Sequence, residues 1–179
     1  MPLALDAALS RETLGGSERV TEPSDDDTVV SEDDRQQADD VERIERVRSH
    51  WLSMEPRQFE FFVKGLLVHC GFRDVCVTKF SADGGIDVNA RAGARMWIFE
   101  HTLVQVQAKR CLHSVGRKEV AELRGSLQPF AKDAVVTTSH FSKAAINEAG
   151  EEGKHPITLV DGFRLSKLVL DERLTLSQF

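Results

Sequence analysis

The pattern of hydrophobic and polar positions divides the chain into a polar stretch and a regularly patterned one. Residues 1–50 have little apolar content, and residues 1–40 hold no aromatic side chain. Such a segment cannot bury enough apolar surface to offset the entropy lost on ordering. We therefore predict that residues 1–50 form an acidic, largely disordered tail. Within it, Val41, Ile44, Val47 and Trp51 recur at roughly helical spacing, which indicates a short helix over residues 40–51.

Residues 51–179 are patterned as one folded domain, and its first element is an amphipathic helix. Ser53 is a suitable N-cap, Pro56 is tolerated in a first helical turn, and Gly71 is suited to follow the last turn. The apolar residues of this segment form one broad helical face, and they are Phe59, Phe62, Val63, Leu66, Leu67 and Cys70. A single helix between Ser53 and Gly71 is expected.

Strand patterns follow this helix. Alternation and turn residues predict three consecutive strands, at Phe72–Phe80, Ile86–Arg91 and Met96–Lys109. Later elements are predicted as a helix at 115–130, a strand at 134–138, a helix at 141–150, a strand at 157–160 and a helix capped by Asp161. Adjacent strands favour an antiparallel meander, whereas a strand–helix–strand segment gives parallel pairing. The predicted fold class is mixed α/β, with a central mixed sheet of about five strands and helices on both faces.

Charge is unevenly divided between the two regions. Residues 1–50 carry 14 acidic and 6 basic residues, a net charge of −8, whereas residues 51–179 carry 15 acidic and 17 basic residues, a net charge of +2. The two regions add up to the total of −6. A mildly basic domain is compatible with a DNA partner without identifying one.

Cysteine usage and the apolar runs bear on location. Three cysteines cannot form a fully paired disulfide framework, which favours a reducing compartment. The N-terminal apolar run is short, contains Asp6 and lacks a basic region before it, unlike a secretory leader. No apolar run is long enough to span a bilayer. We predict a cytoplasmic protein without a membrane partner.

Three polar residues in the stretch GGIDVNARAGARMWIFEHTLVQVQAK stand out chemically. Asp87 follows a Gly-Gly turn, and Gln107 and Lys109 lie two apart on a later strand. Residues at i and i+2 of a strand share a face, so Ala108 points to the other face. If the two strands pair, Asp87 can join them. An acid, an amide oxygen and an amine on one face suit metal-assisted hydrolysis of a phosphodiester.

These residues also carry a family resemblance. The helix with Phe59-Glu60, the segments GFRDV, DGGIDV and VQAK, and the later strand AVVTT resemble the Mrr-type restriction endonuclease domain of the PD-(D/E)XK nuclease superfamily. The similarity covers about residues 53–170 and implies a restriction-endonuclease-like core and a metal-dependent DNA endonuclease. Two departures are visible. An acidic tail stands where such proteins often carry a DNA-recognition domain, and the segment before Gln107 is longer than the usual connection.

The resemblance also implies a set of site residues. It gives Asp87, Gln107, Lys109 and Glu60 catalytic roles, with Gln107 where many relatives have glutamate. Mg²⁺ prefers hard oxygen ligands and keeps several waters, and Mn²⁺ can substitute for it. The expected metal ligands are Asp87, Gln107, the backbone carbonyl of Ala108, and Glu60 either directly or through water. Lys109 would hold the attacking water or a phosphate oxygen.

Further residues are candidates for DNA contacts. Gly84 and Gly85 would let the backbone approach a DNA strand closely, although a plain hairpin turn would also use them. Four basic residues follow the Gln-x-Lys strand and could meet phosphates: Arg110, His113, Arg117 and Lys118. A solvated helix start is an equally weighted interpretation of these four.

The function predicted from the sequence is therefore a Mg²⁺-dependent DNA endonuclease in restriction, or in antiviral defence against foreign or modified DNA. One site cuts one strand, so duplex cleavage predicts a homodimer, or a partner protein that also supplies target recognition. Two alternatives stay open. One is a catalytically silent nuclease fold that only binds DNA, and the other is an interaction subunit of a larger defence complex.

Overall fold

The fold is a five-stranded mixed sheet between two layers of helices. It is seen in a computed structural model, which describes residues 32–78, 85–172 and 174. The helices are α1 (Glu32–Ser53), α2 (Pro56–His69), α3 (Arg117–Ser126), α4 (Lys143–Ala149) and α5 (Gly162–Asp171). The strands are β1 (Arg73–Val77), β2 (Val88–Arg91), β3 (Leu103–Lys109), β4 (Lys132–Thr137) and β5 (Ile157–Val160). The predicted tail as far as residue 31, and Gly84, lie outside the described residues.

The strands run across the sheet in the order β1-β2-β3-β4-β5. The pairs β1–β2 and β2–β3 are antiparallel, whereas β3–β4 and β4–β5 are parallel. The helices α3 and α4 supply the crossovers that parallel pairing requires. The predicted meander, the later parallel pairs and the mixed α/β fold class are confirmed, and β3 lies at the centre of the sheet.

Two apolar cores, one on each face, hold the sheet between its helices. On one face α1, α2 and α5 pack over β2 to β4, and this core includes Trp51, Phe59, Phe62, Val106, Val136, Leu165 and Val169. On the other face α3 and α4 cover Val135 and Ile157 through Val120, Leu123 and Ala145. Successive strand residues point to opposite faces, so Val135 and Val136 belong to different cores. Each fully buried large apolar side chain contributes about 1.5–3 kcal/mol.

The predicted long strand from Met96 to Lys109 is wrong in its first half. Residues Ala94–Phe99 form a 3-10 helix, and the strand begins only at Leu103. The register explains the difference, because β2 ends at Arg91, which pairs with Leu103, so earlier residues have no strand partner. The apolar side chains that indicated a strand point outward, with Trp97 76% and Phe99 57% exposed.

The first helix is longer than the sequence predicted. It begins at Glu32 instead of near residue 40, so the segment 32–39, which we placed in the tail, is helical. Ion pairs one turn apart support its exposed face, such as Arg46–Glu42 at 2.7 Å and Arg48–Glu45 at 2.6 Å. Its buried face carries Ile44, Val47 and Trp51. The boundary of the nuclease domain at residue 51 stays a prediction.

Of the helix caps predicted from the sequence, Gly71 after α2 and Asp161 before α5 are confirmed. Ser53 is the exception, because it ends α1, and Glu55 takes the N-cap position of α2 with Pro56 as the first helical residue. Ser142 accepts a hydrogen bond from the Ala145 N–H at 3.1 Å, and Asp161 accepts one from the Arg164 N–H at 2.8 Å. Within the described ranges, no helix has both the length and the apolarity needed to cross a bilayer.

Candidate active site

Asp87 lies directly before β2, at the end of the sheet where β3 finishes. Its main chain is held on both sides: the Asp87 N–H donates to the Val106 carbonyl, and the Thr78 N–H donates to the Asp87 carbonyl, each at 2.9 Å. Its carboxylate oxygen Oδ2 accepts a hydrogen bond from the Ala108 N–H at 2.8 Å. The structure therefore brings the acid to the strand that carries Gln107 and Lys109.

The surroundings of Asp87 favour its protonated form. Burial is the largest cause and raises the pKa of Asp87 from 3.8 to about 6, against the opposing hydrogen bond from Ala108. The Glu60 carboxylate raises this pKa further, whereas the charges of Arg57 and Lys109 lower it. Glu60 and Lys109, one of like and one of opposite charge, are thus both near enough to Asp87 to act on its titration. A bound cation would offset the cost of burying the Asp87 charge.

Gln107 presents a buried oxygen that no described residue satisfies. Its Oε1 has no hydrogen-bond donor in the part of the chain that the structure describes. Its Nε2 lies against Gly85, where a Cβ atom would come within 2.5 Å of that nitrogen. Gly85 also has φ +91°, a backbone conformation that L side chains rarely adopt. A buried acceptor without a donor is costly unless it meets a ligand, and a cation would fit there.

Glu60 and Lys109 complete the group from two different elements. Glu60 is buried on α2, and its Oε2 is paired with Arg57 Nη1. Lys109, at the end of β3, is partly exposed; its carbonyl accepts hydrogen bonds from Thr137 and Thr138, whereas its side chain makes no hydrogen bond or salt bridge with any described residue. Its ammonium group is therefore available for a ligand beside Asp87.

The donor set suits a hard cation. It holds two carboxylates and one amide oxygen, and among residues 32–78 and 85–172 no group of three or more His, Cys, Asp or Glu side chains could hold a metal. The N–H and C=O of a strand residue point to the same side, so the Ala108 carbonyl is directed to the side of Asp87. Mg²⁺, which accepts few protein oxygens and keeps its waters, fits such a set better than Zn²⁺ does.

The four basic residues proposed for DNA contacts are used in different ways. Arg110, which is partly exposed, donates from Nη1 to the Leu52 carbonyl at 3.0 Å and so ties the end of β3 to α1. Arg117 donates from Nε to the buried Glu148 at 2.7 Å. Lys118 pairs with Glu122 at 3.6 Å on the surface, and His113 is exposed. Arg117, Lys118 and His113 are thus exposed, although Arg117 and Lys118 each have a carboxylate partner.

One residue of the site was missed from the sequence. Arg57, in the first turn of α2, pairs with Glu60 and donates from Nη1 and Nη2 to the Thr78 carbonyl, both at 3.2 Å. The only sequence signal was its i,i+3 spacing from Glu60, a common arrangement on helix surfaces. Its contact with Thr78 depends on the packing of α2 against β1, which no local pattern indicates.

Comparison with known proteins identifies the family of this chain. A family model described as "Restriction endonuclease", of the Mrr catalytic type, matches residues 51–169. The chain belongs to the Mrr-type restriction endonuclease family. The chain therefore carries a restriction-endonuclease-like nuclease domain. The nucleases of this family generally depend on a divalent metal. No curated protein matches the sequence.

Two solved structures share the fold of this Mrr-type domain. The restriction endonuclease MspJI, in complex with a 27-mer oligonucleotide, superposes with a TM-score of 0.56 at 20% identity, covering 73% of this chain and 31% of that one. The DNA modification-dependent restriction endonuclease AspBHI gives a TM-score of 0.61 at 24% identity, covering 79% of this chain and 38% of that one. The chain thus spans well under half the length of either protein, and the likeness shows the fold alone.

Proposed function

We propose that this chain is a Mg²⁺-dependent DNA endonuclease that hydrolyses phosphodiester bonds. The observation that carries the proposal is the gathering of Asp87, Gln107 and Lys109 at one end of the sheet, with the Gln107 oxygen lacking a donor among the described residues. Glu60 acts electrostatically on the same carboxylate. Membership of the Mrr-type family supports the same reaction class.

Each residue has a role that its position supports. Asp87 and the Gln107 oxygen would hold the Mg²⁺ ion, with the Ala108 carbonyl and Glu60, the latter directly or through water. When bound, the ion offsets the negative charge of the phosphate and makes a water molecule more acidic. Lys109 would orient the attacking water or a phosphate oxygen by charge and hydrogen bond. Asp87 must lose its proton to act, so its raised pKa links metal binding to pH.

Glutamine at position 107 has a consequence for metal affinity. It supplies a neutral oxygen where a carboxylate would supply a full charge, so the site attracts a cation less strongly. The Glu60 carboxylate, buried near Asp87, restores a second negative charge. Two carboxylates and a neutral oxygen meet the small number of protein ligands that Mg²⁺ takes.

We propose a biological role for this chain from the proteins that share its fold. AspBHI is described as DNA modification-dependent, and we extend to this chain a role in restriction of foreign or modified DNA. We assign duplex cleavage to a homodimer, because one site cuts one strand, and target selection to a partner protein. Cytoplasmic location and antiviral defence stay predictions from the sequence.

The test is cleavage of plasmid DNA, with and without modified bases, in Mg²⁺ or Mn²⁺. The parent should cut, whereas Asp87→Ala and Lys109→Ala should lose at least a hundredfold in rate, in the range of lost electrostatic catalysis. Lys167→Ala, which removes an exposed lysine of α5 outside the site and outside the proposed DNA contacts, should cut like the parent. Salt-sensitive DNA binding without cutting by the parent would instead favour the silent binding module.

A further inference from the structure

Arg57 links α2 to the residue that follows β1, beside the site. It lies in the first turn of α2, where its guanidinium pairs with the buried Glu60. The same group donates twice to the Thr78 carbonyl at the end of β1. Its guanidinium carbon Cζ also lies 5.2 Å from the centre of the Phe61 ring, in a cation–π contact.

Both partners of Arg57 lead to the proposed metal ligands. Glu60 is one of them, and its charge acts on Asp87. Thr78, the second partner of Arg57, contacts the backbone before β2. Its N–H donates to the Asp87 carbonyl at 2.9 Å, and its hydroxyl donates to the Ile86 carbonyl at 2.6 Å. One guanidinium therefore contacts the helix that carries Glu60 and the strand residue that holds the backbone of Asp87.

The chemistry requires such a group. Glu60 is only 6% exposed and lies near a second carboxylate, so its ionised form is costly without a positive partner. Arg57, whose side chain is 45% exposed, supplies that positive partner. A planar guanidinium can bond a carboxylate and a carbonyl at once, which a compact ammonium group cannot do in the same geometry.

We infer that Arg57 is a positioning residue of the metal site, which holds the Glu60 carboxylate in place beside Asp87 and fixes the turn before β2 through Thr78. The inference rests on the proposed function, since it gives Glu60 a role toward the metal. Arg57 would exert this role without touching the metal or the DNA. Its effect on metal affinity passes mainly through Glu60 and to a smaller extent through Thr78, so Arg57 and Glu60 should be coupled in metal affinity.

A double-mutant cycle tests this coupling. Binding of Mn²⁺ alone is measured by calorimetry for the parent, Arg57→Met, Glu60→Gln and the double variant, with unfolding by urea measured beside it. Arg57→Met keeps most of the packing on Phe61 and should weaken Mn²⁺ binding roughly tenfold or more, as for other residues that orient metal ligands. In the Glu60→Gln background the same change should cost less than about threefold.

Two further variants complete the design. Arg46→Met removes an exposed arginine of α1 that also pairs with a glutamate one turn away, and it should bind Mn²⁺ like the parent. Arg57→Lys keeps the charge but not the double contact, and its affinity should fall between those of the parent and Arg57→Met. If Arg57→Met does not fold, Arg57→Lys replaces it in the test. A Mn²⁺ affinity of Arg57→Lys equal to that of the parent would then overturn the inference.

The outcomes separate this inference from the proposed function. If the parent binds Mn²⁺ and Asp87→Ala does not, the metal site stands. Parent-like affinity of Arg57→Met, or an equal loss with and without Glu60, would then overturn the role of Arg57 alone. If the parent binds Mn²⁺ no better than Asp87→Ala, the proposed metal site and the inference both fall.

Discussion

The Asp87 carboxylate accepts a hydrogen bond from the backbone N–H of Ala108 at 2.8 Å. The bond joins the turn before β2 to the last part of β3, so the acid is aimed at the Gln-x-Lys segment before any ligand arrives. It occupies Oδ2, and the other carboxylate oxygen of Asp87 can serve as a metal ligand. A main-chain donor also holds the carboxylate without adding a charge to the site.

Removing the charge of Asp87 should stabilise the metal-free protein. The folded pKa of about 6 lies above the ordinary 3.8, so the proton favours the folded state. The stability that protonation contributes is fully present below 3.8 and is lost as the pH rises through about 6. After allowance for solvent screening, Asp87→Asn should raise the free energy of unfolding at neutral pH by about 1–2 kcal/mol.

Urea unfolding with chelator checks this prediction. The curves of parent and Asp87→Asn should converge below pH 3.8, where the parent carboxyl is neutral. Asparagine keeps an oxygen for the Ala108 N–H, so the comparison isolates the charge. If Asp87→Asn were less stable than the parent at neutral pH, the buried charge of Asp87 would not destabilise the folded protein, and the prediction would be wrong.

The pH dependence of cleavage should follow the same group. At limiting Mg²⁺ the rate should fall about tenfold per pH unit below about 6, because the protonated Asp87 cannot bind the ion. Raising the Mg²⁺ concentration should move the midpoint to lower pH, since metal and proton compete for one carboxylate. If the midpoint of the pH dependence of cleavage did not change with the Mg²⁺ concentration, a group other than Asp87 would be responsible for it.

Gln107→Glu should strengthen metal binding. A third carboxylate adds one negative charge to the ligand set, and the Mg²⁺ concentration for half-maximal cleavage should fall roughly tenfold. Without metal, the added charge lies near Asp87 and should lower the urea midpoint. The matched control is Asn147→Asp, which adds a charge on the exposed face of α4. An unchanged Mg²⁺ requirement would place the Gln107 oxygen outside the metal shell.

Gly85→Ala should separate backbone strain from damage to the site. Gly85 and Gly153 both have positive φ, at +91° and +80°, so alanine at either should cost about 1–2 kcal/mol. Only at Gly85 would the new Cβ come within 2.5 Å of the Gln107 Nε2, whereas Gly153 has open space around it. The flexible Gln107 amide would move aside.

Mn²⁺ calorimetry and urea unfolding of the two alanine variants distinguish these effects. Both variants should lose similar stability, but Gly85→Ala alone should lose metal affinity. Equal Mn²⁺ affinities in the two variants would mean that metal binding does not depend on the observed position of the Gln107 side chain.

A buried ion cluster should make the helical layer of α3 and α4 sensitive to acid. Glu148 accepts from Arg117 at 2.7 Å, from Lys154 at 2.9 Å and from Arg124. The hydrogen bonds from Arg117 and Lys154 lower the pKa of Glu148 from 4.5 to about 2. Its contribution to stability is present above 4.5 and is lost as the pH falls through about 2.

Glu148→Gln should therefore lower the urea midpoint at neutral pH, and the difference from the parent should shrink between pH 4.5 and about 2. Glu151→Gln is the control, because Glu151 is exposed and pairs with Lys154 alone at 2.8 Å. It should change the midpoint little, as surface ion pairs do. A constant difference across the acid range would contradict the link to this carboxylate.

Two glutamines on one strand show where sequence reasoning stops. Gln105 and Gln107 lie on the same face of β3, and alternation treats them alike. Gln105 is 1% exposed, donates to Asn89 at 3.0 Å and accepts from the Gln128 N–H at 2.8 Å. It supports the sheet, whereas the Gln107 oxygen has no such donor among the described residues. Only the neighbours supplied by other elements distinguish them.

Local spacing in the chain was sufficient to predict the order of helices and strands after residue 53, the mixed sheet, and the shared face of Gln107 and Lys109. Such features depend on residues close in sequence, where the period of a helix or strand decides which side chains share a face. The extent of α1, the bend at Ala94–Phe99 and the use of Arg110 and Arg57 were decided only by the folded structure. Each depends on which distant backbone group or strand comes within hydrogen-bonding range, and a one-dimensional pattern does not contain that distance.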